Sequence, residues 1–125
     1  MTIIEKAKLL ESYGNVVEKI KELDAQEKEI IESRNSISLD DRVSKEYIEE
    51  LDRSEQKIKE FNQSLKITRL RIENSIVMME NPKESKVLRM HYLEGIPWKC
   101  VALELDNKEV TIYGIRKRAL SNLVV

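Results

Sequence analysis

The sequence predicts an all-α protein in two parts. These are an N-terminal long helical hairpin, a coiled-coil-like arm, over residues 1–81, and a C-terminal three-helix helix-turn-helix module over residues 82–125. The chain has only three glycines and two prolines in 125 residues, and 36% of its residues are charged but only 5% aromatic. Apolar residues also recur at helical spacing along most of its length. Because β-rich folds use more turn, aromatic and β-branched residues, this composition favours long helices.

The first helix is predicted over residues 3–33. Gly14 interrupts its pattern and costs roughly 1 kcal/mol relative to alanine if it is helical. Residues 34–43, RNSISLDDRV, lose the helical period and are predicted to form a loop. The apolar positions that define the first helix are Ile3, Ala7, Leu10, Val17, Ile20, Leu23, Ile30 and Ile31.

The second helix is predicted from about residue 44 to residue 80, opened by Ser44 as its cap. Such a helix is roughly 55 Å long. It cannot bury its apolar seam against a small module alone, so it needs the first helix folded back, a second subunit, or both. We therefore expect a homodimer formed through the arm. The predicted seam has a heptad spacing: Tyr47, Leu51, Ser54, Ile58, Phe61, Leu65, Thr68, Ile72, Ser75 and Met79.

Three short helices are predicted after residue 81. Asn81 caps the first, which begins at Pro82 and is ended by Gly95. Pro97 is predicted at the first position of the second helix. Asp106 and Asn107 form the next turn, and either of them can cap the third helix. The third helix is expected to bury a stripe formed by Ile112, Ile115, Ala119, Leu120 and Leu123.

The opposite face of the third helix is basic and is the predicted DNA-binding surface. Val110 is a candidate for contact with a thymine methyl group, and Glu109 for contact with a cytosine amino group. The alternatives are that Val110 packs against the second helix and that Glu109 only favours the helix start. Arg116–Arg118 are expected to contact phosphates or to form a solvated face near the helix end. The full predicted set is Lys99, Lys108, Glu109, Val110, Thr111, Tyr113, Arg116, Lys117 and Arg118.

The charge distribution is uneven. Residues 82–125 contain 8 Lys/Arg and 5 Asp/Glu, a balance of +3, whereas residues 1–81 contain 14 and 18, a balance of −4. This asymmetry fits a DNA contact at one end of the chain, although ordinary scatter over 44 residues gives the same value.

Other side chains are expected to be structural. Trp98 is predicted to cover the core between the first two short helices, and Cys100 to be a small core or boundary residue. His91, the only histidine, has no Cys or His at ligand spacing, so no metal is expected. No catalytic residue, enzyme activity or cofactor is predicted, because no carboxylate pair, nucleophile or glycine-rich phosphate loop is present.

No apolar run reaches the ~20 residues that a bilayer span needs, so no membrane contact is expected. The first residues, MTIIEKAKLLESYGN, carry acidic residues and have no small-residue cleavage site, which is unlike a signal peptide. A single cysteine also excludes a disulfide framework within the chain. We therefore expect a cytoplasmic protein.

Residues 88–102, LRMHYLEGIPWKCVA, and residues 111–123, TIYGIRKRALSNL, resemble region 4 of the sigma-70 family. With a helical hairpin before them and the central Asp41-Arg42-Val43, they make the chain similar to the ArpU/RinA-type transcription regulators of phages and prophages. The resemblance implies a regulator that binds double-stranded DNA in a bacterial host, with host RNA polymerase as a further partner. The chain departs from the pattern at Lys99-Cys100, at Lys108-Glu109 and at Gly114, which replaces a polar base-reading side chain.

Two other functions remain open from the sequence. One is a small terminase-like DNA-packaging subunit, which also joins a helix-turn-helix to oligomerising helices. The other is a helical protein–protein interaction protein in which the helix-turn-helix is degenerate, and Gly114 and the weak positive charge favour it.

Overall fold

A computed structural model describes residues 1–37, 42 and 44–125, and every regular element among these residues is helical. This confirms the all-α prediction. Within the described residues, no helix is long and apolar enough to cross a membrane. The helices are α1 (Ile3–Glu11), α2 (Tyr13–Asn35), α3 (Lys45–Val77), α4 (Pro82–Leu88, continued by a π-helical turn, Arg89–Leu93), α5 (Trp98–Glu104) and α6 (Glu109–Asn122).

The helix predicted over residues 3–33 is divided at Ser12 rather than at Gly14. At this break the Ser12 hydroxyl donates to the Leu9 carbonyl at 2.6 Å. The second helix then continues to Asn35, so two residues of the predicted loop are helical. Residues 38–41 and 43, which include Asp41 and Val43 of the central motif, lie outside the described residues.

The chain divides into two compact units, residues 17–67 and residues 1–16 with 68–125. This grouping differs from the division predicted between residues 81 and 82. The physical reason is that Ala7 and Leu10 of α1 and Ile72 and Ile76 of α3 share a core with α4 and α6.

In the unit formed by residues 17–67, the α2 and α3 segments run antiparallel. The Asn62 amide donates to Asp24 at 2.6 Å, and Arg34 lies 2.8 Å from Asp52, so the order of contacts is reversed along the two segments. Glu55 accepts from both Arg34 and Lys59. The paired segments are therefore joined by polar groups near both ends of the contact.

The predicted heptad seam agrees only in part with the buried face of α3 in this unit, where Leu51, Ile58 and Leu65 are half-buried. Phe61, a predicted seam residue, is 49% exposed, whereas Asn62 beside it is 2% exposed. Tyr47, another seam residue, is also exposed. The buried face is displaced because the contact with α2 is made through Asn62, a polar side chain that the apolar pattern did not count.

The core of the unit formed by residues 1–16 and 68–125 consists of two apolar clusters. The first joins α1, α3, α4 and α6, and the second joins α4, α5 and α6. Trp98 packs against both, as predicted for a residue that covers the core. Each large aliphatic side chain buried here contributes roughly 1.5–3 kcal/mol. The predicted stripe is buried throughout: Ile112, Ile115, Ala119, Leu120 and Leu123.

The starts and ends of α4 and α5 follow local chemistry. The Asn81 side chain accepts from the Lys83 and Glu84 backbone N–H groups at 3.0 and 3.1 Å, which confirms the predicted cap. Gly95 has φ 72°, a left-handed conformation that ends the helical segment as predicted. Pro97 is the cap of α5, one residue before the position predicted for it.

Candidate nucleic-acid interface

The connection between α5 and α6 is a tight turn. Asp106 has φ 53°, and the Asn107 N–H donates to the Ala102 carbonyl at 2.9 Å, which closes the end of α5. The predicted turn is therefore present. The predicted capping of α6 is wrong, because the cap position is Lys108 and its side chain makes no capping bond. The Asn107 side chain instead donates to the Leu105 carbonyl at 2.9 Å.

Helix α6 has a buried face and an open face. Opposite its buried stripe, four exposed residues follow one another at steps of four, three and four positions: Val110, Gly114, Lys117 and Ser121. We call these four residues the outer row of α6. At 3.6 residues per turn they lie along one side of the helix. Thr111 and Arg118 flank the row on one side and Tyr113 flanks it on the other, and all three are exposed.

Eight of the nine predicted DNA-binding residues are exposed. They lie on α6, at its cap position and in the first turn of α5: Lys99, Lys108, Glu109, Val110, Thr111, Tyr113, Lys117 and Arg118. The ninth, Arg116, is half-buried. Val110 is 73% exposed, so its alternative role as a residue packed against α5 is excluded. Cys100 is exposed, which corrects its expected place in the core or at its boundary.

Arg116 is held in an aromatic cluster inside the unit. Its Nε donates to the Tyr92 hydroxyl at 3.1 Å, and its guanidinium carbon lies 5.5 Å from the centre of the Trp98 ring. Trp98 in turn stacks on His91, with ring centres 3.8 Å apart and an interplanar angle of 18°. The π-helical turn, α5 and α6 are thus joined through one guanidinium group.

The tilt of His91 against Trp98 is set by a backbone contact. His91 Nδ1 lies 2.8 Å from the Ile96 carbonyl oxygen, and a carbonyl can only accept, so Nδ1 carries the proton. Tyr113, on α6, completes the cluster with its ring centre 6.0 Å from that of Trp98. A side chain beside the open face of α6 is therefore in contact with the cluster that holds Arg116.

Two further contacts fix the carboxyl end of α6. The Asn122 amide donates to the Glu84 carboxylate at 2.8 Å, and Lys6 Nζ donates to the Ser121 carbonyl at 3.3 Å. Glu84 is 5% exposed. Sequence reasoning placed Glu84 only in the first turn of a helix, because no local pattern indicates a partner 38 residues away.

The composition of this surface is weakly basic. Among the described residues, no group of three His, Cys, Asp or Glu side chains is placed to hold a metal ion. From Trp98 to Asn122 there are five basic residues and three acidic ones, a balance of +2. No family model, no curated protein and no solved structure matches this chain. What the surface binds is therefore inferred from its own residues.

Proposed function

We propose that the chain is a transcription regulator that binds double-stranded DNA, with α4, α5 and α6 as a helix-turn-helix and α6 in the major groove. The observation that carries this proposal is the open face of α6. One side of the helix is buried along its whole length, and the outer row stays open from Val110 to Ser121. A helix with its side chains is about 10–12 Å across, and the major groove is about 12 Å wide, so such a face fits it.

The placement of charge supports the same proposal. Val110 and Thr111 lie in the first turn of α6, the end that contacts bases in helix-turn-helix proteins. Lys117 and Arg118 lie two turns later, where side chains reach phosphates. Lys99 on α5 and Lys108 before α6 are exposed on the elements that flank this helix start.

We further propose that the paired segments of α2 and α3 form an arm that joins two copies of the chain, since helix-turn-helix proteins bind two half-sites as dimers. Residues 17–67 leave several large apolar side chains open: Ile31, Tyr47, Ile48, Phe61 and Ile67. From the resemblance to phage and prophage regulators, we also propose that the protein acts in the cytoplasm of a bacterial host, with host RNA polymerase as a further partner.

The proposal is tested by incubating the purified protein with fragments of the genome that encodes it and sequencing those that are retained. The strongest fragment is then used in anisotropy titrations at several salt concentrations. We expect the double variant K117A/R118A to weaken binding and to flatten its salt dependence, since each phosphate contact adds about 0.9 to the slope of log K against log salt. K28A/K57A, at two exposed lysines of residues 17–67, is the matched control.

Retention of no fragment at low salt would reject the DNA-binding proposal. A second candidate is then favoured, a helical protein–protein interaction protein. Its specific support is the exposure of two large apolar side chains on adjacent helices, Leu103 on α5 and Val110 on α6, each 73% exposed. Sedimentation of the DNA-binding form as a ring of eight or more subunits, instead of a dimer, would favour the terminase-like alternative.

A further inference from the structure

The first half of α6, residues 109–115, has no side chain that pairs with a purine through two hydrogen bonds. The side chains that pair with guanine or adenine through two hydrogen bonds are arginine, lysine, asparagine and glutamine. None of them occurs between Glu109 and Ile115. Arg116 follows at once, but its guanidinium is held by Tyr92 and Trp98. Within residues 109–115 the helix therefore presents no side chain of this kind, and the nearest one before them is Lys108 at the cap position.

The outer row presents an apolar group instead. Val110 lies in the first turn of α6 and is 73% exposed, although nothing in its local structure requires an apolar residue at an open position. In the major groove, the feature that distinguishes a base by an apolar contact is the C5-methyl group of thymine.

Gly114, one turn further along the same row, lets the helix come close to the groove floor. A Cβ placed on Gly114 would meet nothing within 4 Å, so the protein itself does not require glycine there. Gly114 is exposed and lies in the outer row, so the open space is on the outer side of the helix. A base-pair edge or a sugar can occupy it, which brings Val110 within contact distance of a base.

We infer that the outer row selects DNA by thymine methyl groups, with Val110 as the contacting side chain and Gly114 as the residue that allows the approach. This inference rests on the proposed DNA-binding function and names the feature of the duplex that gives sequence preference. The polar side chains at Glu109, Thr111 and Tyr113 then contribute single hydrogen bonds around that contact.

The test uses the genomic fragment that the protein retains most strongly, made as a synthetic duplex. Each thymine is replaced in turn by deoxyuridine, which removes only the methyl group. We expect one thymine in each half-site at which deoxyuridine weakens binding about fourfold, the ratio that corresponds to burial of one methyl group. V110A, which has a shorter apolar side chain, should lose most of the difference in affinity between the thymine duplex and that deoxyuridine duplex. V124A, at an exposed valine outside α6, should discriminate as the wild type does.

The outcomes separate this inference from the function on which it rests. If the wild type binds the duplex but no single deoxyuridine changes its affinity, thymine selection is wrong and DNA binding stands. If V110A discriminates thymine from deoxyuridine as strongly as the wild type does, Val110 is not the contacting residue and the inference is overturned. If the wild type binds no duplex at any salt concentration, both proposals fail. Thermal melting of V110A, expected to match the wild type at this exposed position, shows that the variant is folded.

Discussion

Arg116 Nε donates to the buried hydroxyl group of Tyr92 at 3.1 Å, while its guanidinium lies over the Trp98 ring. In the sequence, Arg116 belongs with Lys117 and Arg118 to a basic run that suggests three equivalent phosphate contacts. The structure separates them, because Arg116 lies on the flank of α6 that meets the aromatic cluster and its two neighbours lie on the open side.

This separation predicts different effects of two neighbouring substitutions. R116Q should leave the slope of log K against log salt unchanged, because no counterion is displaced by a guanidinium held in the protein. K117Q should lower the slope by about 0.9. R116Q should also lower the free energy of unfolding by about 1–2 kcal/mol and shift the emission of Trp98, the only tryptophan. Equal losses of slope in both variants would show that Arg116 contacts phosphate.

Alanine substitution at Gly114 and at Gly95 should change the free energy of unfolding in opposite directions. G114A should raise the free energy of unfolding by roughly 0.5–1 kcal/mol, since a Cβ fits without contact and alanine restricts the unfolded chain. G95A should lower it, because Gly95 has φ 72°. Urea unfolding checks both signs. If G114A has a lower free energy of unfolding than the wild type, the space beside Gly114 is not open as described.

The phenol group of Tyr13 is expected to lose its proton at a higher pH than an ordinary tyrosine does. Burial, followed by its hydrogen bond to Glu73 at 2.7 Å, raises the pKa of Tyr13 to about 12. Because the pKa in the folded state exceeds the unfolded value of about 10, this group contributes stability that is full below about pH 10 and is lost as the pH rises towards 12. Ultraviolet titration of tyrosinate should show a late step to which Tyr13 contributes.

Y13F should reduce that late step, and Y47F, at an exposed tyrosine, should leave it in place. A late step that is undiminished in Y13F would assign the raised pKa to another tyrosine.

The contribution of Glu55 to stability is lost at low pH, whereas that of Tyr13 is lost at high pH. Hydrogen bonds from Lys59 and then from Arg34 lower the pKa of Glu55 from its ordinary value of 4.5. The stability that this carboxylate contributes is therefore present above about pH 4.5 and is lost as the pH falls through the lowered pKa. E55Q should be less stable at neutral pH and should show a flatter loss of stability in acid, measured by chemical unfolding at several pH values. E29Q, at an exposed glutamate, is the control and should follow the wild type.

The carboxyl-terminal elements were predictable from sequence because their signals are local. Helix α4 begins at Pro82 because the Asn81 side chain accepts from the backbone N–H of Glu84, three residues later. Gly95 ends the helical segment because it adopts a positive φ. The stripe from Ile112 to Leu123 is buried as its spacing predicts. Each of these features depends on residues within a few positions of one another, so the order of residues alone specifies it.

The face of α3 that is buried was predictable only in part, since the heptad includes the buried Ile72 but misses its neighbours on the contact side. The apolar heptad selected Phe61, yet Asn62 is the buried residue, because its amide meets Asp24 on a segment 38 residues earlier. The break at Ser12 also escaped prediction. A serine hydroxyl that bonds to a carbonyl three residues back is compatible with a continuous helix, and the more visible Gly14 beside it carries the stronger helix-breaking tendency.

The sequence by itself determined that the described residues are helical, where α4 begins and where Gly95 ends its helical segment, and which side of α6 is buried, since spacing and capping act within one element. Only the tertiary structure decided which member of the basic run is free. Helical spacing places Arg116 on the flank of α6, but its hydrogen bond is made with Tyr92, 24 residues earlier, and its stacking with Trp98 on α5. The role of a charged side chain at the edge of a helix depends on what packs beside it, and that partner is set by the fold.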